Sequence, residues 1–218
     1  FGGTGIYAAK IGGVWDALSG RTDNLPATTI WSYGRAEDPA PDITSVFPTL
    51  TAGVAPAPNS SFNYPAFTVE NTSAVTTNVR WINDLVDPTS GNFLPHLFAV
   101  DQTLHWANPP KANCVMGAAN RTDCETAVPT PYTGPVPLIT HVHGAHVQSH
   151  SDGYPEAWWL PGAPGTKGIP ASYAERGSLF GQADNTNTVP GSAFFSYENT
   201  QPAATIWYHD HALGMTRL

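Results

Sequence analysis

The chain has 218 residues, 41% of them hydrophobic and 12% charged, with a formal net charge of −8. Charge at about half the usual share, without any cluster of Lys and Arg, excludes a phosphate-backbone partner, so no nucleic acid is expected. No apolar run approaches the roughly 18 residues of a membrane span, and 20 glycines and 21 prolines favour turns and extended loops over long helices.

In chain order, residues 1–27 are Gly-rich, with "GIYAAKIGGVW" a candidate first strand or arm. "ATTIWSYG" (27–34) reads as a short strand of β-branched and aromatic residues. Residues 35–64 are proline-rich and predict a long surface loop, an insertion. "AFTVENTSAVTTNVRWINDL" (66–85) predicts two strands joined by a turn near Asn71. Within it Val75, Thr77, Val79 and Trp81 alternate with Thr76, Asn78 and Arg80, the period of a half-buried strand.

Residues 87–137 are loop-rich and hold both cysteines, Cys114 and Cys124. These suit a metal thiolate or a disulfide, and the disulfide is the expectation. Closing so short a loop stabilises by about 2–3 kcal/mol, and the bond belongs to an oxidising compartment. Sequons at Asn59, Asn71 and Asn120 agree with a secreted or periplasmic location. "PLITHVHG" then reads as a buried strand, and "SDGYPEAWWLPG" as a turn region. "GSAFFSYEN" and "ATIWYHDH" predict two strands joined by the turn "TQPA", and "ALGMTRL" a turn or short helix. With no repeat and no linker, residues 1–218 predict a single all-β domain, a sandwich or barrel with long loops.

The chemistry sits in two His-x-His pairs. Alternate side chains of a strand share a face, so His141 and His143 point the same way, Cα atoms about 6–7 Å apart. His209 and His211 repeat the arrangement. Two such strands side by side present four imidazoles to one hollow, which suits several metal ions better than one. The ligand type alone admits Zn, Cu, Fe and Ni. His96, His105, His146 and His150 lie outside both pairs and are not expected to bind metal. "LITHVHGAH" is also similar to the H-x-H-x-D-H strand end of zinc hydrolases of the metallo-β-lactamase type. There, however, Ala145 replaces the aspartate that must bind metal and handle a proton.

"THVHGAHVQSHSDGYPEAWW" and "TIWYHDHALGMTRL" resemble the two N-terminal copper motifs of multicopper oxidases, nearest to the branch of bilirubin oxidases and spore-coat laccases. "IWSYG", "PAFTVE" and "VRWINDL" are similar to that branch's first-domain strands, so the resemblance covers residues 28–218. It implies an N-terminal cupredoxin domain, a Greek-key β-barrel, that shares a trinuclear copper cluster with the enzyme's last domain. By that pattern His141 would bind the type 2 copper. His143 and His209 would share one type 3 copper, and His211 would bind the other. Asp152 would hold water or relay protons to O2, or else simply open the turn at Gly153. Asp210, of opposite parity, is expected to be structural.

The type 1 copper of the family needs a cysteine in an H-C-H motif. Cys114 lies between Asn113 and Val115, and Cys124 between Asp123 and Glu125, so neither matches. The chain therefore resembles the first third of an oxidase, stopping after its second copper motif with a barrel edge unpaired. The remaining cupredoxin domains, as a cleaved or separate polypeptide, are the expected partners. The whole enzyme would take single electrons from a phenol, pigment or metal ion and reduce O2 to water, and this chain alone is not expected to be active. A stand-alone copper-binding module and a zinc hydrolase are the alternatives.

Overall fold

The computed structural model describes residues 3–9, 28–36, 66–87, 90–111, 114, 122–162, 166–183 and 189–214. Most of the proline-rich segment 35–64, and the sequons at Asn59 and Asn120, lie outside the described residues.

Among the described residues six strands carry the architecture: β1 (Gly3–Ala9), β2 (Thr28–Gly34), β3 (Thr77–Ile82), β4 (Thr140–His143), β5 (Ser192–Tyr197) and β6 (Trp207–Asp210). Helical structure among the described residues is limited to two 3-10 turns, Ser149–Ser151 and Pro155–Ala157, and one turn of α-helix, α1 (Phe180–Ala183). The chain is all-β, in keeping with a cupredoxin-like fold. Long connections are held by isolated bridges such as Leu138 to Trp159 and Pro95 to Pro135.

The strands form three antiparallel pairs, β1 with β2, β3 with β5, and β4 with β6. The last two are interleaved, since the chain visits β3, β4, β5 and β6 in turn. "GSAFFSYEN" and "ATIWYHDH" are thus both strands, yet they do not pair with each other. The turn between them carries the chain from one ladder to the other. Its entry is fixed by Asn199, which adopts φ 54° and whose side-chain amide donates to the Val75 carbonyl at 2.7 Å.

The larger of two apolar clusters among the described residues is built on the two interleaved ladders; the smaller gathers Leu85, Leu94, Val136 and Leu138. In the larger, Val79 and Trp81 of β3 and Ala193, Phe195 and Tyr197 of β5 meet Ile139, Trp158, Trp159, Leu160, Phe180 and Ala212, all buried. Fully burying each large apolar side chain stabilises by about 1.5–3 kcal/mol. The indole N–H of Trp81 donates to the Tyr197 hydroxyl at 2.9 Å across the β3–β5 pair. Asn83, fully buried, donates to the carbonyls of Val136 (2.8 Å) and Trp159 (3.1 Å), tying the end of β3 to the chain that leads into β4. The expected alternation holds from Thr77 to Ile82. It fails at Val75, which is 55% exposed. The strand expected ahead of the turn near Asn71 does not form. Residues Thr72 to Val75 close a turn, with Ala74 at φ 59°. The carbonyl of Phe67 accepts the Tyr208 hydroxyl at 2.6 Å rather than a neighbouring strand.

The two cysteines form a disulfide, Cys114–Cys124, as the spacing predicted. The side-chain amide of Asn108 donates to Cys124 Sγ at 3.2 Å. No helix among the described residues is long and apolar enough to cross a membrane.

Candidate metal centre

The β4–β6 ladder positions the histidines. Thr140 faces Asp210, His141 faces His209, Val142 faces Tyr208 and His143 faces Trp207. Opposed residues of an antiparallel pair share a face and faces alternate along it. Val142 and Tyr208 pack against the core. His141, His143, His209 and Trp207 therefore share the opposite, outer face. Tyr208 is pinned from behind by edge contact with Tyr33, ring centroids 5.2 Å apart.

On the outer face the rings converge. His141 lies 5.6 Å from His143 and 5.5 Å from His209, centroid to centroid. Ring nitrogens of His141, His143 and His209 come within 4.8 Å of one another. His211 lies just past β6, where its N–H continues the ladder by donating to the Ile139 carbonyl at 2.7 Å. Its ring stacks on His141 at 4.7 Å, so the fourth imidazole stands beside the trio.

Three rings are anchored on one nitrogen. His141 Nδ1 lies 2.5 Å from the Asp152 carbonyl, His211 Nδ1 2.9 Å from that of Gly153, and His209 Nδ1 2.8 Å from that of Asp210. A carbonyl only accepts, so each Nδ1 carries the proton and each Nε2 keeps its lone pair, the tautomer of a metal ligand. His209 Nε2 is buried with no partner. Burial and, secondarily, the neighbouring histidines hold the His209 pKa below its ordinary value, against the bond to Asp210. An unpartnered, neutral imidazole nitrogen aimed among others is a donor set that fits a borderline cation such as copper or zinc.

The loop carrying the anchors depends on Gly153. Its φ is +84°, and a Cβ there would lie 2.3 Å from the Thr140 carbonyl oxygen. Only glycine lets the 152–153 backbone approach β4 closely enough to reach two histidines. Asp152 is brought to His141, its carboxylate 3.5 Å from Nδ1 and 38% exposed. It stands on the side of the ring already bound to its own carbonyl.

The side chain of Asp210, expected to be structural, faces away from the cluster and fixes backbone, while its carbonyl holds the His209 ring. The Asp210 carboxylate accepts the N–H of Ile139 at 2.9 Å and of Ala212 at 3.4 Å. Complete burial pushes its pKa up to about 7, against those bonds. His96 sits far along the chain against Tyr132, ring centroids 5.7 Å apart, while His105, His146 and His150 are exposed. Sequence reasoning passed over Gly153 as an anchor and Trp207 as a neighbour of the rings. The parity that pairs His209 with His211 also places Trp207 on their face.

No protein-family model matches the sequence. Curated relatives do. The chain is 40% identical over 96 residues, 43% of its length, to "Multicopper oxidase LPR1 homolog 3" of Oryza sativa subsp. japonica, covering 14% of that protein. It is 27% identical over 195 residues, 89% of its length, to "Multicopper oxidase LPR1" of Arabidopsis thaliana, covering 21%. It is 28% identical over 155 residues, 71% of its length, to the laccase of Bacillus subtilis (strain 168), again covering 21%. The chain thus spans about a fifth of the length of these two longer-matched relatives, and the similarity runs over most of the chain.

Proposed function

We propose that this chain, a relative of the multicopper oxidases, is the N-terminal cupredoxin unit of a laccase-like enzyme and supplies four histidines to a trinuclear copper cluster. The observation that carries the reading is the outer face of β4–β6, where two His-x-His segments meet and His209 Nε2 is buried without a partner. In this reading residues 1–218 are one domain, with 35–64 an insertion, and further cupredoxin domains of the same enzyme bring the other ligands and the type 1 site. With copper bound, the whole enzyme would take electrons singly from a phenolic, pigment or metal-ion reductant at its type 1 site and deliver four of them, with four protons, to O2 at the cluster to give two waters.

This chain's residues have three tasks. His141 is assigned to the type 2 copper, His143 and His209 to one type 3 copper, and His211 to the other. The carbonyls of Asp152, Gly153 and Asp210 hold three of the rings by Nδ1 and so keep each Nε2 available. The Asp152 carboxylate, partly exposed beside His141, is the group able to carry protons between solvent and the site. The Cys114–Cys124 disulfide supports a secreted or periplasmic setting.

The test is copper stoichiometry and oxygen uptake on the full-length polypeptide, with a phenol as electron donor. Wild type should hold copper and consume one O2 per four electrons supplied. His143→Ala and His209→Ala should lose cluster copper and O2 uptake together. Copper bound without oxygen uptake would instead identify a copper-carrying module, and preferential zinc retention would identify a hydrolase.

A further inference from the structure

Trp207 is 55% exposed, yet it opens β6 on the same face as the histidines. Its indole is nearly parallel to two imidazoles at once. It stacks on His209 at 4.1 Å and 22°, and on His143 at 5.2 Å and 20°. These are the two histidines without an anchor from the 152–153 loop. His143 has no ring hydrogen bond to a described residue, and its ring meets Trp207, His141 and His209. His209 is bonded only to the carbonyl of its own neighbour, Asp210.

Resting on the copper reading above, we infer that Trp207 is a positioning residue, setting the ring planes of His143 and His209 so that both lone pairs point at one copper. The torsion that orients an imidazole is broad and soft. A ring held only at its Cβ sweeps its Nε2 through an arc, and metal affinity falls with the ordering it must then supply. A flat, electron-rich face lying across both rings removes that freedom. It also favours the bound state, because an imidazole that has given its lone pair to a cation is electron-poor and stacks better on indole. Trp207 offers no lone pair to a metal, so its effect is wholly on geometry and ring electronics.

The full-length polypeptide, with histidine rings isotopically labelled, allows the test in two arms. Without metal, the indole ring current should hold the His143 and His209 ring-proton resonances upfield. Trp207→Ala should move both downfield and leave those of His211 in place. With Cu(I) in competition against a chromophoric chelator, Trp207→Ala should weaken binding about two- to tenfold, the range set by one aromatic stack. Trp207→Phe, which keeps a flat face, should stay within about twofold of wild type by the same measure. Unchanged affinity in Trp207→Ala, or no recovery in Trp207→Phe, overturns the inference while leaving the copper reading intact. A full-length wild-type polypeptide that shows the ring-current shifts but binds no copper overturns the copper reading, and the positioning role of Trp207 with it.

Discussion

His96 shows what one side chain does away from the chemistry. Burial lowers its pKa from 6.5 to about 4, so it is neutral in the fold and charges readily only when unfolded. Its Nε2 is buried without a partner and its ring lies edge-on to Tyr132. A depressed histidine pKa contributes stability that is complete above the unfolded value and is lost as pH falls through 6.5 towards 4. Urea unfolding of wild type and His96→Gln should therefore diverge with pH. The advantage of wild type over the variant should shrink by about 2 kcal/mol between about pH 7 and 4.5. A difference that stays flat across that window would show His96 protonated, or solvated, in the folded chain. Groups common to both proteins, the buried Asp210 among them, cancel in this comparison.

At the scale of elements, the β4–β6 ladder and the loop at Gly153 form one unit, and a methyl group should break it. Gly153→Ala sets a Cβ against the Thr140 carbonyl at a positive φ. It should cost about 2–4 kcal/mol in chemical denaturation and, in the folded fraction, weaken copper binding by releasing His141 and His211 from their carbonyls. Wild-type stability in this variant would mean that the loop approaches β4 by some other path. The two ladder segments were legible in the sequence because alternation along "THVH" and "WYHDH" states both the strand and the face. Their partners were not. Nothing in "GSAFFSYEN" says that it pairs with Thr77–Ile82 rather than with the strand that follows it, because pairing is decided by which apolar faces meet across the core. The strand expected ahead of the turn near Asn71 did not form. Phe67 gives its carbonyl to the Tyr208 hydroxyl, a side-chain tie that no alternation pattern announces. The role of Trp207 was hidden because an exposed tryptophan and a stacked one read alike in a string of letters.

For the molecule as a whole, short strands and long connections mean that much of the order lies in covalent and side-chain ties. The Cys114–Cys124 bond closes a ten-residue separation in the loop-rich region. Reducing it, or replacing both cysteines by serine, should lower the unfolding free energy by about 2–3 kcal/mol in the chain-entropy account. Copper uptake should be unaffected if the histidines alone are the ligands. Loss of copper in the serine variant that still folds would return the thiolates to consideration. The interleaving of β3–β5 with β4–β6 has a further consequence for how the protein comes to exist. Ile139 and Asp210, bonded across the ladder, are 71 residues apart in sequence. Contacts of such long range form slowly, after much of the loop-closure entropy has been met. During synthesis the first His-x-His pair leaves the ribosome well before the second is made. On the copper reading, the nascent chain therefore offers a passing ion only one of this chain's two pairs until the closing strand is made. Metal acquisition is thereby postponed at least until both pairs have been made.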